Sequence, residues 1–270
     1  MKRTIHSVVA LCGAMALAAC GSTVADTGAE STPSQAPAAT GVQVGDTVDL
    51  AELAESTAAA VEAQGTSHVT VAAGGDGSSE IDVDYSSGSP AMSMTMTAEA
   101  DEPVRMLLVD GVMYMTGDSV GEMTGGRSWI KIDPDGEDMM SRMMAPVLEQ
   151  MASTVDPAHQ FIVFEGTEAE VIAVDADTVT YSVVLTEEQL DEALDTQAES
   201  IPGLTKEGLA QMPDGMSYEM TLDAEGLPLS MGMDIAGEAV TVTYSDWGKK
   251  VDIAAPPASE VGTFQMPDLG

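Results

Sequence analysis

The sequence predicts an α+β fold, one large curved antiparallel sheet of about eleven strands with helices grouped against one face. Three observations predict it. Short segments of alternating character follow one another between turn residues, as in Met92-Ser93-Met94-Thr95-Met96, where successive side chains fall on opposite faces. Strands do not alternate with helices in the βαβ manner that a parallel sheet requires. Helical spacing of apolar residues is confined to a few stretches.

Composition limits the function classes. The chain has 270 residues, enough for one large domain or two small ones, and is 44% hydrophobic. Only 4% of residues are aromatic, so few rigid rings are available to fill a core. Against 45 acids stand 9 bases, a formal charge of −36. Nucleic acid and anionic lipid surfaces would both repel such a chain, so nucleic acid is excluded as a partner. Asn is absent, and turns must be built from Gly, Asp and Pro.

Residues 1–19 have signal-peptide dimensions. Met1-Lys2-Arg3 is basic, and the apolar run from Val8 to Ala19 is too short to span a bilayer. The run ends in Leu17-Ala18-Ala19-Cys20-Gly21, which resembles a bacterial lipobox. The resemblance implies a diacylglyceryl group on Cys20 and cleavage just before it. Two acyl chains anchor stably where one does not, so the mature chain is expected on the extracytoplasmic face of the cell membrane. Cys12 is then lost with the leader, and Cys20 is the only remaining cysteine. Losing Lys2 and Arg3 removes two positive charges and takes the formal charge from −36 to −38.

Residues 20–47 form the lipidated cysteine and a tether. They are rich in Ser, Thr, Ala, Gly and Pro and bury too little surface to offset chain entropy. Such a linker places the following domain about 30 Å from the lipid. Residues 48–270 are read as a single domain.

The folded part opens with a helix over 49–64. Leu50, Leu53, Ala54, Thr57, Ala60 and Val61 recur at helical spacing, Asp49 stands at the cap, and Gly65 is the stop. Strands are predicted at 67–73, 80–85 and 91–98, then at 104–109 and 112–116 around Asp110-Gly111, the strongest hairpin signal in the chain. A short strand follows at 128–132. Met140, Met143, Met144, Val147 and Met151 then mark a methionine-faced helix over 137–154, interrupted at Pro146. A second helical piece is expected over 156–164. Strands follow at 168–174 and 179–185, a capped helix begins at Thr186, and strands at 216–222, 227–235 and 239–244 form a final meander. Asp246 to Pro257 is expected to run along the sheet.

That ending, Tyr244-Ser245-Asp246-Trp247-Gly248-Lys249-Lys250-Val251-Asp252-Ile253-Ala254-Ala255-Pro256-Pro257, resembles the LppX/LprAFG family of actinobacterial and mycobacterial lipoproteins. Trp129-Ile130-Lys131-Ile132-Asp133 before a helix resembles it too, and the likeness runs over about residues 48 to 263. It implies a half-barrel of antiparallel strands, akin to the LolA/LolB carriers, with helices packed on its concave side. It also implies a non-enzymatic role in binding and moving lipids or lipoglycans across the cell envelope. An acylated lipid or lipoglycan is then the expected ligand, an envelope exporter an expected partner, and a monomer the expected state. The family's binding residues form a lining and not a motif, so none transfers residue by residue.

The candidate lining comes from methionine. Of 20 methionines, Met1 and Met15 lie in the leader and 18 remain. Met92, Met94, Met96, Met106, Met113, Met115, Met231 and Met233 fall on strands, and Met140 and Met143 on the central helix, where Val147 interrupts the series. Flexible thioethers suit irregular gaps in a solid core, and they suit a surface that adapts to varied apolar ligands equally well. The scarcity of aromatics favours a hollow. The runner-up is a structural or interaction lipoprotein of the same fold with a filled core.

Other chemistries carry less. Thioethers ligate Cu(I), but alternating methionines on one strand lie about 7 Å apart, too far to share a metal, and His68 and His159 are the only mature histidines. In Asp133-Pro134-Asp135-Gly136-Glu137-Asp138 the glycine is misplaced for an EF-hand, and acids at a helix start explain the run. No Gly-x-Ser-x-Gly elbow is present and Cys20 is expected to be acylated. No enzyme activity, cofactor or resident metal is expected.

Overall fold

The computed structural model describes residues 41–73, 78–86, 90–97, 103–145, 148, 167–186, 216–235 and 238–264. In chain order the strands are β1 (Thr47–Asp49), β2 (Thr66–Ala73), β3 (Ser78–Asp84), β4 (Ala91–Thr97), β5 (Val104–Val109), β6 (Val112–Thr116), β7 (Trp129–Ile132), β8 (Glu168–Val174), β9 (Thr178–Leu185), β10 (Met216–Asp223), β11 (Pro228–Ile235), β12 (Glu238–Ser245) and β13 (Val261–Gly262). The helices are α1 (Leu50–Gln64), the four-residue α2 (Val120–Met123) and α3 (139–145 and 148). Hydrogen bonding gives the strand order β1-β8-β9-β10-β11-β12-β2-β3-β4-β5-β6-β7-β13. The described pairings are antiparallel except that of β13 with β7. This is the expected α+β class, an open and mostly antiparallel sheet with few helices.

The chain divides into two compact units, Met1–Ala63 with Pro157–Thr241 and Gln64–Asp156 with Val242–Gly270. In the first, α1 lies on the β8–β10 sheet. Asp49 Oδ1 accepts the backbone N–H of Ala51 at 2.8 Å and of Glu52 at 3.2 Å, which satisfies two of the orphan donors of the first turn. Gly65, at φ +77°, ends the helix where a left-handed residue is needed. Leu50, Leu53 and Ala54 then pack on Ala169, Val171, Tyr181, Val183 and Tyr218. Burying each leucine stabilises the unit by about 1.5–3 kcal/mol.

In the second unit, β2 to β7 form a meander of consecutive neighbours. At the Asp110-Gly111 turn both residues have positive φ, +53° and +74°, and Val109 pairs with Val112. Two left-handed residues define the type I′ turn whose twist matches an antiparallel hairpin. α3 is capped by Asp138, whose Oδ1 accepts the Ser141 N–H at 3.0 Å. Met140, Met144 and Leu148, four residues apart, pack on Met106, Met113 and Ile132.

Several expectations need correction. Among the described residues the sheet has thirteen strands against about eleven expected, the difference being two short edge strands that carry no alternation long enough to read. One of them, β1, begins inside the expected tether. The Gly45 N–H donates to Val171 O and the Val171 N–H to Asp46 O, both at 2.8 Å, while Val42 and Val48 pack on the first core. Asp246 to Pro257 forms no ladder. The chain turns at Asp246 (φ +57°) and Gly248 (φ +69°), and Pro256 and Pro257 have no N–H to donate. Helix α3 starts at 139, not 137, and α2 was not expected. Pro146, Val147, Met151, and the helices expected over 156–164 and after Thr186, lie outside the described residues, as do Cys20, the leader and His159.

Candidate functional site

Strand register assembles the methionine face of the second unit. In an antiparallel pair, directly opposed residues point to the same side. One row runs Val83, Met92, Leu108, Met113, Ile132 across β3 to β7. The next runs Ile81, Met94, Met106, Met115, Ile130. A third holds Ser79, Met96 and Val104. Six strand methionines, Met92, Met94, Met96, Met106, Met113 and Met115, therefore share one face.

The face is covered unevenly. Met92 and Met113 are buried, at 7% and 3% exposure. Met94, Met96, Met106 and Met115 are half-buried. Helix α3 seats Met140, Met144 and Leu148 on Met106, Met113 and Ile132. Met143, expected on that lining, points the other way and is 61% exposed, as is Met139 at 60%. The physical reason is helical phase. With Met140 and Met144 inward, residues one position earlier are rotated about 100° away.

The reverse face of the same strands carries the polar side chains Asp82, Ser93 and Lys131, with Leu107 buried and Tyr114 half-buried in the same row. His68 Nδ1 meets Asp82 Oδ1 at 2.8 Å, so the lone histidine of the described residues is a partly exposed strand residue hydrogen-bonded to its cross-strand neighbour. Buried Ser93 accepts from Arg105 Nε at 3.4 Å and Nη2 at 3.3 Å. At the edge of the unit, Lys131 Nζ pairs with Asp133 Oδ2 at 2.7 Å. That hydrogen bond holds the Asp133 carboxyl below the usual carboxylate range and raises Lys131. Asp138 is also lowered. Desolvation pushes it up, and the hydrogen bonds from Ser141 outweigh that. The acidic run at 133–138 thus serves as turn and helix cap. Among the described residues, no group of three or more His, Cys, Asp or Glu side chains could hold a metal.

Met231 and Met233 belong to the first unit. They are opposite Met220 and Tyr218 and pack against the core closed by α1. Burial there pushes the Tyr218 phenol up to about 12 and raises Tyr181. Burial also raises Tyr244, in the segment that carries the family likeness. Its ring stacks on Trp247 at 6.0 Å between centroids and 9° between planes. Ile81, Val83, Leu108 and Ile132 complete the methionine rows without having been singled out, although the β3 alternation Ile81-Asp82-Val83 was a usable signal. An open depression lined by Pro103, Thr116, Gly117, Asp118, Arg127 and Ser128 is polar and unsuited to an acyl chain. No helix of the described residues is long and apolar enough to cross a membrane.

No protein-family model matches the chain, and no curated protein matches it. Solved structures do. LprF from Mycobacterium bovis aligns at TM-score 0.42 and 14% identity, over 77% of this chain and 96% of its own. The lipoprotein LppX from Mycobacterium tuberculosis aligns at TM-score 0.42 and 13% identity, over 76% of this chain and 98% of its own. Both bear names of the family that the Tyr244–Pro257 ending resembles.

Proposed function

We propose that the chain is a membrane-anchored carrier of the cell envelope, non-enzymatic, that shelters acyl chains of a lipid or lipoglycan on the methionine face of β3–β7. The observation that carries this reading is the uneven cover of that face. Met94 and Met115 are half-buried in the apolar row from Ile81 to Ile130 and Met96 in the row next to it, while α3 packs with Met106 and Met113 beside them. A set of unbranched, polarizable side chains can reshape around varied hydrocarbon. Leu17-Ala18-Ala19-Cys20 supports the anchor on the extracytoplasmic face, and the large excess of acids over bases would keep the domain off anionic headgroups.

A second reading has its own support. In the first unit, α1 fills the apolar face with Leu50 and Leu53, as expected of a structural lipoprotein with a closed core. Paired variants separate the two. Met94→Asp places a charge on the apolar row and is expected to cut the lipid co-purified with the protein by about tenfold, a loss of 1.4 kcal/mol or more. Met143→Asp, on the exposed side of α3, is expected to leave loading unchanged. Equal loading in both would remove the face from the binding site. Cys20→Ser is expected to release the protein to the medium or leave the leader uncleaved, and a processed, acylated product would contradict the anchor.

A further inference from the structure

The objection to a soft-metal site was distance along one strand. Register removes it, because Met94, Met106 and Met115 are directly opposed on three adjacent strands, β4, β5 and β6. Directly opposed residues have Cβ atoms about 4.5–5.5 Å apart, against about 7 Å for alternate residues of one strand. A methionine sulfur stands two bonds beyond Cβ. The outer two side chains can lean inward over Met106 and bring three thioethers to one point.

We propose that Met94, Met106 and Met115 form a binding site for a soft monovalent cation, Cu(I) or its analogue Ag(I). Thioether sulfur selects such ions over Zn(II), Mg(II) or Ca(II), whose preferred donors are harder or anionic. The flanking residues of the row, Ile81 and Ile130, are apolar and offer no competing donor. All three methionines are half-buried, so an ion could reach them without unfolding the sheet. Met106, Met140 and Met144 all pack against the cluster of Met113, Ile132 and Leu148, so the surroundings of the Met106 side chain are apolar. Binding needs no proton release and no change in oxidation state, because the ligands are neutral. The negative field of so acidic a chain, with 45 acids against 9 bases before the leader is lost, attracts the cation from outside. The site shares these methionines with the proposed acyl-binding face, so it is read by the metal signal and not by lipid content.

The test uses the mature, full-length protein in detergent with methyl-13C methionine. One equivalent of Ag(I) is expected to shift three methyl resonances, assigned by substitution to Met94, Met106 and Met115. Competition with a chromophoric chelator then measures Cu(I) under ascorbate. Met94→Leu, Met106→Leu and Met115→Leu are each expected to weaken binding by about tenfold or more, the scale of change typical when a metal site is disturbed. Met139→Leu is expected to bind as wild type, and Zn(II) is expected to cause no shift. The site is overturned if all three leucine variants keep wild-type affinity, if the shifts fall on exposed Met139 and Met143, or if no resonance moves. A leucine variant that fails to fold leaves the wild-type spectrum to decide. The metal signal alone decides this site, and the lipid content of wild type and Met143→Asp decides the carrier reading separately.

Discussion

Gly136 lies so close to Ser141 that a β-carbon on the glycine would sit 2.7 Å from the Ser141 Oγ. The same carbon would be 2.9 Å from the Asp133 carbonyl oxygen, which belongs to the backbone and cannot swing away. Ser141 is fully buried in the first turn of α3, and its Oγ accepts the Asp133 N–H at 3.1 Å. The contact fixes how α3 enters, and so which methionines reach the sheet. Gly136→Ala is expected to destabilise the protein by about 1–3 kcal/mol, the range for forcing extra atoms into a packed site. Gly121→Ala, where nothing lies within 4 Å of the added carbon and the residue is helical, is the control and should not lower the unfolding midpoint in denaturant.

Thr57 gives a prediction of opposite sign. It is fully buried in α1, and its Oγ1 has no hydrogen-bond partner among the described residues. A buried hydroxyl without a partner loses its hydration for nothing in return. Thr57→Val keeps the shape and removes the polar atom. It is expected to raise stability by about 1–2 kcal/mol. Destabilisation in thermal and chemical unfolding would mean that the hydroxyl is bonded after all.

Acid should loosen the α3 entry. Asp133 is lowered from 3.8 by its hydrogen bond to Lys131, and Asp138 is lowered because the bonds from Ser141 outweigh desolvation. A carboxyl with a depressed folded-state value contributes stability above its unfolded value and loses it as pH falls through the folded one. The contribution is therefore fully present well above pH 3.8 and lost below it. Both groups are partly solvated, so the effect is small, within about 1 kcal/mol for an ion pair near the surface. Asp133→Asn is expected to cost stability at pH 7 and to match wild type at pH 2. A stability difference that persists undiminished at pH 2 would assign it to packing and not to charge.

The strands were legible in the sequence because their faces differ. Alternation in Met92-Ser93-Met94-Thr95-Met96 separates thioethers from hydroxyls, and the observed β4 ends within one residue of its expected bound. The two-residue Asp110-Gly111 turn even fixes the pairing of Met106 with Met115, since a type I′ hairpin leaves no freedom of register. The pairing of Met94 with Met106 was not legible, because the β4–β5 connection is longer and sets no register by itself. Met143 was misplaced for a different reason. Methionines at 139, 140, 143 and 144 offer two stripes of equal spacing, and composition cannot choose between them. The choice is made by the Asp138 cap and the buried Ser141, which set the helical phase. The edge strands β1 and β13 are held by pairing with β8 and β7 and not by any periodicity of their own.

The measurement closest to the central claim is organic extraction and mass spectrometry of the wild-type protein purified from its native membranes. One acylated lipid or lipoglycan per chain, beyond the acyl groups attached to Cys20, is the predicted result. Its amount should fall in Met94→Asp and hold in Met143→Asp. A protein that carries no stoichiometric lipid other than its own anchor would contradict the account.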